Sequence, residues 1–127
     1  MHKLEDLLIW KKAIELTKEV YLLLTLLPKE EKYGLIDQIK RSVVSIPSNI
    51  SEGAGRNNPT EFNHFLGIAN GSSYELHTQL ILCIELNMIN ENDLKSLLAK
   101  NIEIQKMIYS FRMSLLNKTS KNLISQL

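Results

Sequence analysis

Apolar residues recur along the chain at steps of three and four, the spacing of one face of an α-helix. Leu7, Trp10, Ile14, Thr17, Tyr21 and Leu24 make one series. Ala13, Leu16, Val20, Leu23 and Leu27 make a second on the adjoining face. Together they predict a helix over about 6–27, stopped by Pro28. The two series span roughly 200° of its circumference, wider than the ~100° stripe of a helix with one buried face. So oily a helix needs neighbours on two sides, and another subunit can be one of them.

Residues 28–34, Pro-Lys-Glu-Glu-Lys-Tyr-Gly, read as a connection. Leu35, Ile39, Val43, Ile46 and Ile50 then predict a second helix over about 32–55. Pro47 lies inside it. Proline has no N–H and its ring crowds the carbonyl four residues back, so a kink is expected near Val43. Two helices broken at Ile46 are the alternative; the period carries through the proline and favours the kink. Gly53, Gly55, Asn57 and Asn58 are expected to end this helix, since glycine and asparagine tolerate left-handed termination.

Asn58 suits an N-cap, Pro59 the first helical position and Glu61 the third position of a capping box. The third helix, about 59–87, shows the heptad series Phe62, Phe65, Ala69, Ser72, Leu76, Gln79, Cys83 and Leu86. Gly67, Ala69, Gly71, Ser72 and Ser73 cluster in its middle. A mid-helix glycine costs about 1 kcal/mol against alanine, so close approach of a neighbouring helix is the expected offset. Asn90 or Asn92 caps a fourth helix over about 91–116, where Glu91 and Asp93 favour the positive end of the dipole. Its seam is Leu94, Leu97, Asn101, Ile104, Ile108, Phe111 and Leu115, with 117–127 left as a frayed tail. The fold class is therefore all-α. The expected architecture is an up-down-up-down antiparallel four-helix bundle with a proline-kinked second helix, one domain over 1–127.

Composition changes little in this picture. At 127 residues, 44% hydrophobic and 23% charged, the chain has globular usage, and a net charge of +1 excludes a polycationic nucleic-acid-binding tail but not a local basic patch. The single cysteine, Cys83, makes neither an intrachain disulfide nor a zinc site and falls on the third helix's seam, as a buried small apolar residue. Glu5 and Asp6 interrupt any export signal, and the apolar run Val20–Leu27 is far short of the roughly 20 residues of a membrane span. A soluble, cytoplasmic protein away from membranes is expected.

Candidates for catalysis are weak. Glu61-Phe62-Asn63-His64 has the E-x-x-H spacing of di-iron bundles, but no second copy exists and Glu61 serves better as a cap residue. His2 and His77 have no partner at ligand spacing. Gly53-Ala54-Gly55 is too short to cradle phosphates, and nucleotide-binding, zinc-protease and nucleophile-elbow motifs are absent. No enzymatic activity, cofactor or metal is expected.

One polar pattern is less ordinary. Gln38, Arg41, Ser45, Asn49, Glu52 and Arg56 form a stripe along the second helix. A solvated face explains it, but its short central members suit a packed polar contact equally. Arg41 and Glu52 are too far apart to pair, neighbours on a helix being three or four residues apart, so each is expected to find a partner on another helix, another subunit or a ligand. Charge also segregates. Ser42 to Asp93 holds six acids and one base, Arg56, whereas Leu94 to the end holds six bases and one acid, Glu103. Such asymmetry fits a nucleic-acid footprint or complementary subunit faces.

The stretch YGLIDQIKRSVVSIPSNISEGAGRNNPTEFNHFLGIANGSSYELHTQL, Tyr33 to Leu80, resembles the signature of the four-helix-bundle proteins encoded in intervening sequences of bacterial 23S ribosomal RNA. Leu7, Trp10, Ala13, Leu16, Val20, Tyr21 and Pro28 are similar to that family's first helix, and the resemblance covers about Leu4 to Leu86. Ser42 and Ser51 stand where alanine is expected. The family is similar in architecture to the accessory variability determinant proteins of diversity-generating retroelements. By that resemblance the chain forms a homopentamer, associates with RNA or DNA and possesses a reverse transcriptase as a candidate partner. The alternative is a protein-interaction module for such an enzyme without nucleic-acid affinity of its own. Five copies would gather roughly 5–10 positive charges on a shared surface. Lys40, Arg41 and Arg56 are the candidate contacts, with Arg112 behind them; pairing of Arg41 and Arg56 with Glu52 or Glu75 is the structural alternative. An aromatic content of 6% argues against single-strand stacking platforms.

Overall fold

Four α-helices, α1 (Leu8–Leu24), α2 (Leu35–Gly55), α3 (Pro59–Glu85) and α4 (Glu91–Ser125), make up the computed structural model. It describes residues 2–31 and 33–125, with the backbone alone for 119–125. Short 3₁₀ turns, Leu4–Asp6 and Lys29–Glu31, precede α1 and α2. No strand occurs among the described residues.

Each helix packs on two others, α1 and α3 both lying between α2 and α4. The pairs that meet run in opposite directions along neighbouring helices. Thr17 reaches Val43 and Tyr21 lies under Lys40. Ser45 meets Ser72, while Gly53 lies against Phe62. Ser73 meets Asn101 and Asn63 meets Arg112. Lys12 pairs with Glu103 and Glu19 with Lys100. The core between the helices holds Leu16, Val20, Ile39, Val43, Ile46, Ile50, Leu66, Leu76, Leu80, Leu94, Ile104 and Ile108, all fully buried.

The helix ends follow local chemistry. Asn58 Oδ1 accepts hydrogen bonds from the N–H groups of Thr60 (2.9 Å) and Glu61 (3.1 Å), two of the donors a helix start leaves unpaired. Asn57, with φ of 53°, takes the left-handed position after α2. Asn87 (φ 57°) does the same after α3, where Met88 N donates to Cys83 O and Asn87 N to Ile84 O, the paired bonds of a Schellman ending. Asn90 Oδ1 accepts from Asn92 N at the start of α4.

Several expectations are corrected. Helix α1 is shorter than 6–27, because its last residues tighten into i to i+3 bonds before Pro28. Helix α2 starts at Leu35, after the 3₁₀ turn and Gly34. Helix α4 does not fray at 117; its backbone stays helical to Ser125, since no glycine or proline follows Glu91 to stop it, and 126–127 lie outside the described residues. The α3 seam is also shifted. Leu66, Ser73 and Leu80 are fully buried, whereas Phe65 and Ser72 are half-exposed and Leu86 is exposed. Steps of four and three from Phe62 fit the core better than the sequence's competing ladder.

Helix α2 passes through Pro47 without a break, so the two-helix alternative fails. A proline at 47 leaves the Val43 carbonyl without its usual intrahelical donor. The Thr17 hydroxyl lies 3.3 Å from that carbonyl oxygen and 2.8 Å from Ala13 O, so it can serve either acceptor.

Cys83 is buried, as the seam predicts. Desolvation pushes its thiol pKa up, the Glu31 carboxylate adds to the rise, and a backbone hydrogen bond offsets part of it. A raised thiol pKa contributes stability that is complete below the unfolded value, about 8.5, and is lost as pH climbs through the folded value. The native thiol should therefore react with an aromatic disulfide reagent far more slowly at pH 8 than the urea-unfolded chain. Equal rates would contradict this burial.

Candidate functional site

The polar stripe of α2 divides into three parts. Its centre faces α3: Ser45 and Ser72 hydroxyls lie 2.8 Å apart, and Asn49 Nδ2 donates to Ser45 O (2.8 Å) and Oγ (2.9 Å). The short members thus form a packed interhelical contact. Its C-terminal part, Glu52 and Arg56, closes on itself. Arg56 Nη2 lies 2.8 Å from Glu52 Oε1, and its guanidinium sits 5.0 Å from the Phe65 ring centroid. The N-terminal part, Gln38 and Arg41, is exposed. Arg41 Nε lies 3.2 Å from Asp37 Oδ2, one turn back. The expectation that Arg41 and Glu52 seek partners off the helix is therefore corrected: both find one four residues away, where neither the stripe nor its spacing had included Asp37.

Arg112 behaves differently from a surface cation. Its Nε donates to Asn63 Oδ1 at 2.8 Å, and the guanidinium covers Gly67, where a Cβ would approach Nη1 and Nη2 to 3.3 Å. A side chain, rather than a helix backbone, thus uses the space at Gly67. Gly71 has no neighbour within 4 Å of a Cβ, so the expected close approach does not occur there within the protomer. Gly53, read as a helix stop, is instead a contact point beneath Phe62 and Phe65.

Of the four candidate cations, Lys40, Arg41 and Arg56 are exposed and Arg112 is half-buried. The Lys40 ammonium lies over the Tyr21 ring, 5.2 Å from its centroid, and the Arg41 side chain is 80% exposed. Beside them is a feature the sequence did not reveal, a cleft of about 590 Å³ between the end of α1 and the start of α2, lined by Tyr21, Leu24, Thr25, Leu27, Lys29, Ile36 and Lys40. Tyr21 and Lys40 are far apart in sequence, and only the α1–α2 register brings them together.

The ion pairs of basic α4 are made with α1, outside the acidic stretch from Ser42 to Asp93. The basic segment of α4 meets α1 through the Lys100–Glu19 pair, and Lys12 reaches back to Glu103. Lys95, Lys106 and Lys118 remain exposed. The outer surface also carries apolar side chains. Leu22 on α1 and Leu26 just after it are 72% and 62% exposed, and Tyr74 on α3 and Tyr109, Met113 and Leu116 on α4 are exposed as well. His64 and Glu61 are exposed, and the described residues contain no group of three or more His, Cys, Asp or Glu placed to hold a metal ion. No helix among them is long and apolar enough to cross a membrane.

Residues 5–110, which take in α1 to α3 and the first part of α4, match the family described as 23S rRNA-intervening sequence protein. The chain belongs to that family. A solved structure from Bacteroides thetaiotaomicron, described as a protein with unknown function from the S23 ribosomal protein family, is 27% identical, with a TM-score of 0.77. The match covers 83% of this chain and 98% of that one. Among curated proteins, none matches. Within the stretch from Tyr33 to Leu80, Pro47, Asn58 and Gly53 each have a structural task.

Proposed function

We propose that this member of the 23S rRNA-intervening sequence family is a non-enzymatic, nucleic-acid-associated protein that acts as a ring of identical subunits, a homopentamer, with RNA as its ligand in the cytoplasm. One observation carries the reading: a protomer whose Leu22, Leu26, Tyr109 and Met113 remain on the outside also presents Lys40 and Arg41 on open surface. The first group favours association, because burying apolar surface contributes about 25 cal/mol per Å². The second group, repeated around a ring, gives a patch of positive potential that one protomer of charge +1 lacks.

The surroundings of the cations support a division of roles in this reading: Arg112 is engaged across helices by Asn63 and is a poor contact, while exposed Lys40 and Arg41 are the preferred contacts. Binding through phosphates is weakly sequence-specific and steeply salt-dependent, with a slope near 0.7 per neutralised charge on single strands.

Size-exclusion chromatography with light scattering, read at 260 and 280 nm, tests both parts together. The expected result is a multiple of 14.6 kDa carrying nucleic acid. Arg41→Glu should keep that mass and lose the bound nucleic acid, because an exposed i,i+4 ion pair contributes only about 0.3–0.5 kcal/mol to folding. A well-folded monomer overturns the ring. A ring without nucleic-acid affinity overturns the RNA reading and leaves a protein-interaction module, of which a reverse transcriptase partner is one form.

A further inference from the structure

We infer that the cleft between the end of α1 and the first turns of α2 seats one unpaired nucleotide of RNA in each protomer, with the base on the apolar floor and the flanking phosphates on Lys29 and Lys40. This rests on the nucleic-acid reading and adds where, and in what form, the strand is held.

The cleft's volume, about 590 Å³, falls within the range of roughly 300–1,000 Å³ usual for small-molecule sites. Its floor is aliphatic: Leu24, Leu27 and Ile36 are all buried members of the core. Its wall is Tyr21, whose ring is 40% exposed. Among the described residues, those lining it include two lysines and no acid. The ammonium groups come from different elements, Lys29 from the connection before α2 and Lys40 from α2 itself.

An apolar body with negative charge on either side of it satisfies that lining. A nucleotide within a strand has this form, because a phosphate precedes its base and another follows it. A base in a duplex cannot enter, since it is paired and stacked. Lys40 already covers Tyr21 at 5.2 Å, a cation–π contact. A stacked base would take the ring face and release the ammonium to a phosphate. One aromatic per protomer gives one base per protomer, not a continuous stacking track, and agrees with the chain's low aromatic content.

Fluorescence anisotropy with the full chain decides this, using a labelled oligouridylate of about 12 nucleotides, within the usual span of single-strand sites, and an RNA duplex of the same length. The expected preference for the single strand is between about fivefold and a hundredfold, the span given by stacking one base. Tyr21→Ala should erase that preference, and Tyr21→Phe should keep it. Lys29→Gln combined with Lys40→Gln should lower the salt slope by about 1.4. Equal binding of single strand and duplex by the unaltered protein, or undiminished preference in Tyr21→Ala, overturns the cleft assignment while sparing the nucleic-acid reading. Absence of binding to either RNA overturns the nucleic-acid reading, and the cleft assignment with it.

Discussion

Gly53→Val should unfold the α2–α3 corner and cost about 3 kcal/mol or more, the upper end of core overpacking. A Cβ at position 53 would lie 2.8 Å from Phe62 Cδ1, 2.9 Å from Phe65 Cβ and 3.3 Å from Phe62 Cα. None of these is the free end of a flexible chain. Phe62 is buried and its ring is held by Phe111 (centroids 5.1 Å apart) and His2 (5.2 Å). Gly53→Ala should cost about 1 kcal/mol, since alanine recovers close to that amount in helix propensity against a larger steric loss. Gly71→Ala supplies the contrast. It meets nothing within 4 Å and should stabilise the isolated protomer by about 1 kcal/mol. Urea unfolding followed by circular dichroism measures all three. A Gly53→Ala protein as stable as Gly71→Ala would show that α2 and α3 do not meet at this corner.

The second large effect lies in the buried polar contact between α3 and α4. Ser73 Oγ donates to Asn101 Oδ1 at 2.6 Å, Asn101 Nδ2 donates to Ser73 O at 2.9 Å, and Gln105 Nε2 donates to Ser73 Oγ at 3.0 Å. Ser73 and Asn101 are fully buried. Asn101→Ala removes both of its bonds, leaves the Ser73 hydroxyl proton without its acceptor, and opens a gap at a fully buried position. The expected loss is about 2–3 kcal/mol, more than the roughly 1 kcal/mol of a single bond, because the desolvated group left behind adds its own penalty. Combining Ser73→Ala with Asn101→Leu should recover part of the loss, since these apolar groups need no partner while the half-buried Gln105 amide loses its acceptor. A double variant as unstable as Asn101→Ala in the same urea experiment would contradict that account.

Much of the helical framework was legible because it is local. The fourth seam, with Asn101 inside it, is read from steps of three and four, and the Asn58 cap from three consecutive residues. Burial of Cys83 follows from the same periodicity. What was not legible depends on a neighbour. Phe65 and Leu66 are both apolar and Ser72 and Ser73 are both serine, so α3 offers two ladders, and only the position of α2 and α4 selects Leu66 and Ser73 for the core. Gly53 reads as a terminator until Phe62 is placed above it. The candidate surface shows the same division. Lys40 and Arg41 could be named from charge, and Ile36 lies one turn before Lys40, but Tyr21 and Lys29 join Lys40 only through the α1–α2 packing. Asp37, the partner of Arg41, was one turn away and readable from the i,i+4 rule.

The Thr17 hydroxyl, when it serves Val43 O rather than Ala13 O, ties α1 to one height along α2. Oily side chains at steps of three and four fit their neighbours almost as well after a slide of one turn, about 5.4 Å. The Val43 carbonyl does not, since it offers one acceptor at one height, created by the ring of Pro47. A displaced α1 would take this donor away from that oxygen and would also part Tyr21 from Lys40. One threonine and one proline on different helices thereby act as a latch and its keeper, setting the alignment of two rods that grease alone would leave free to slip.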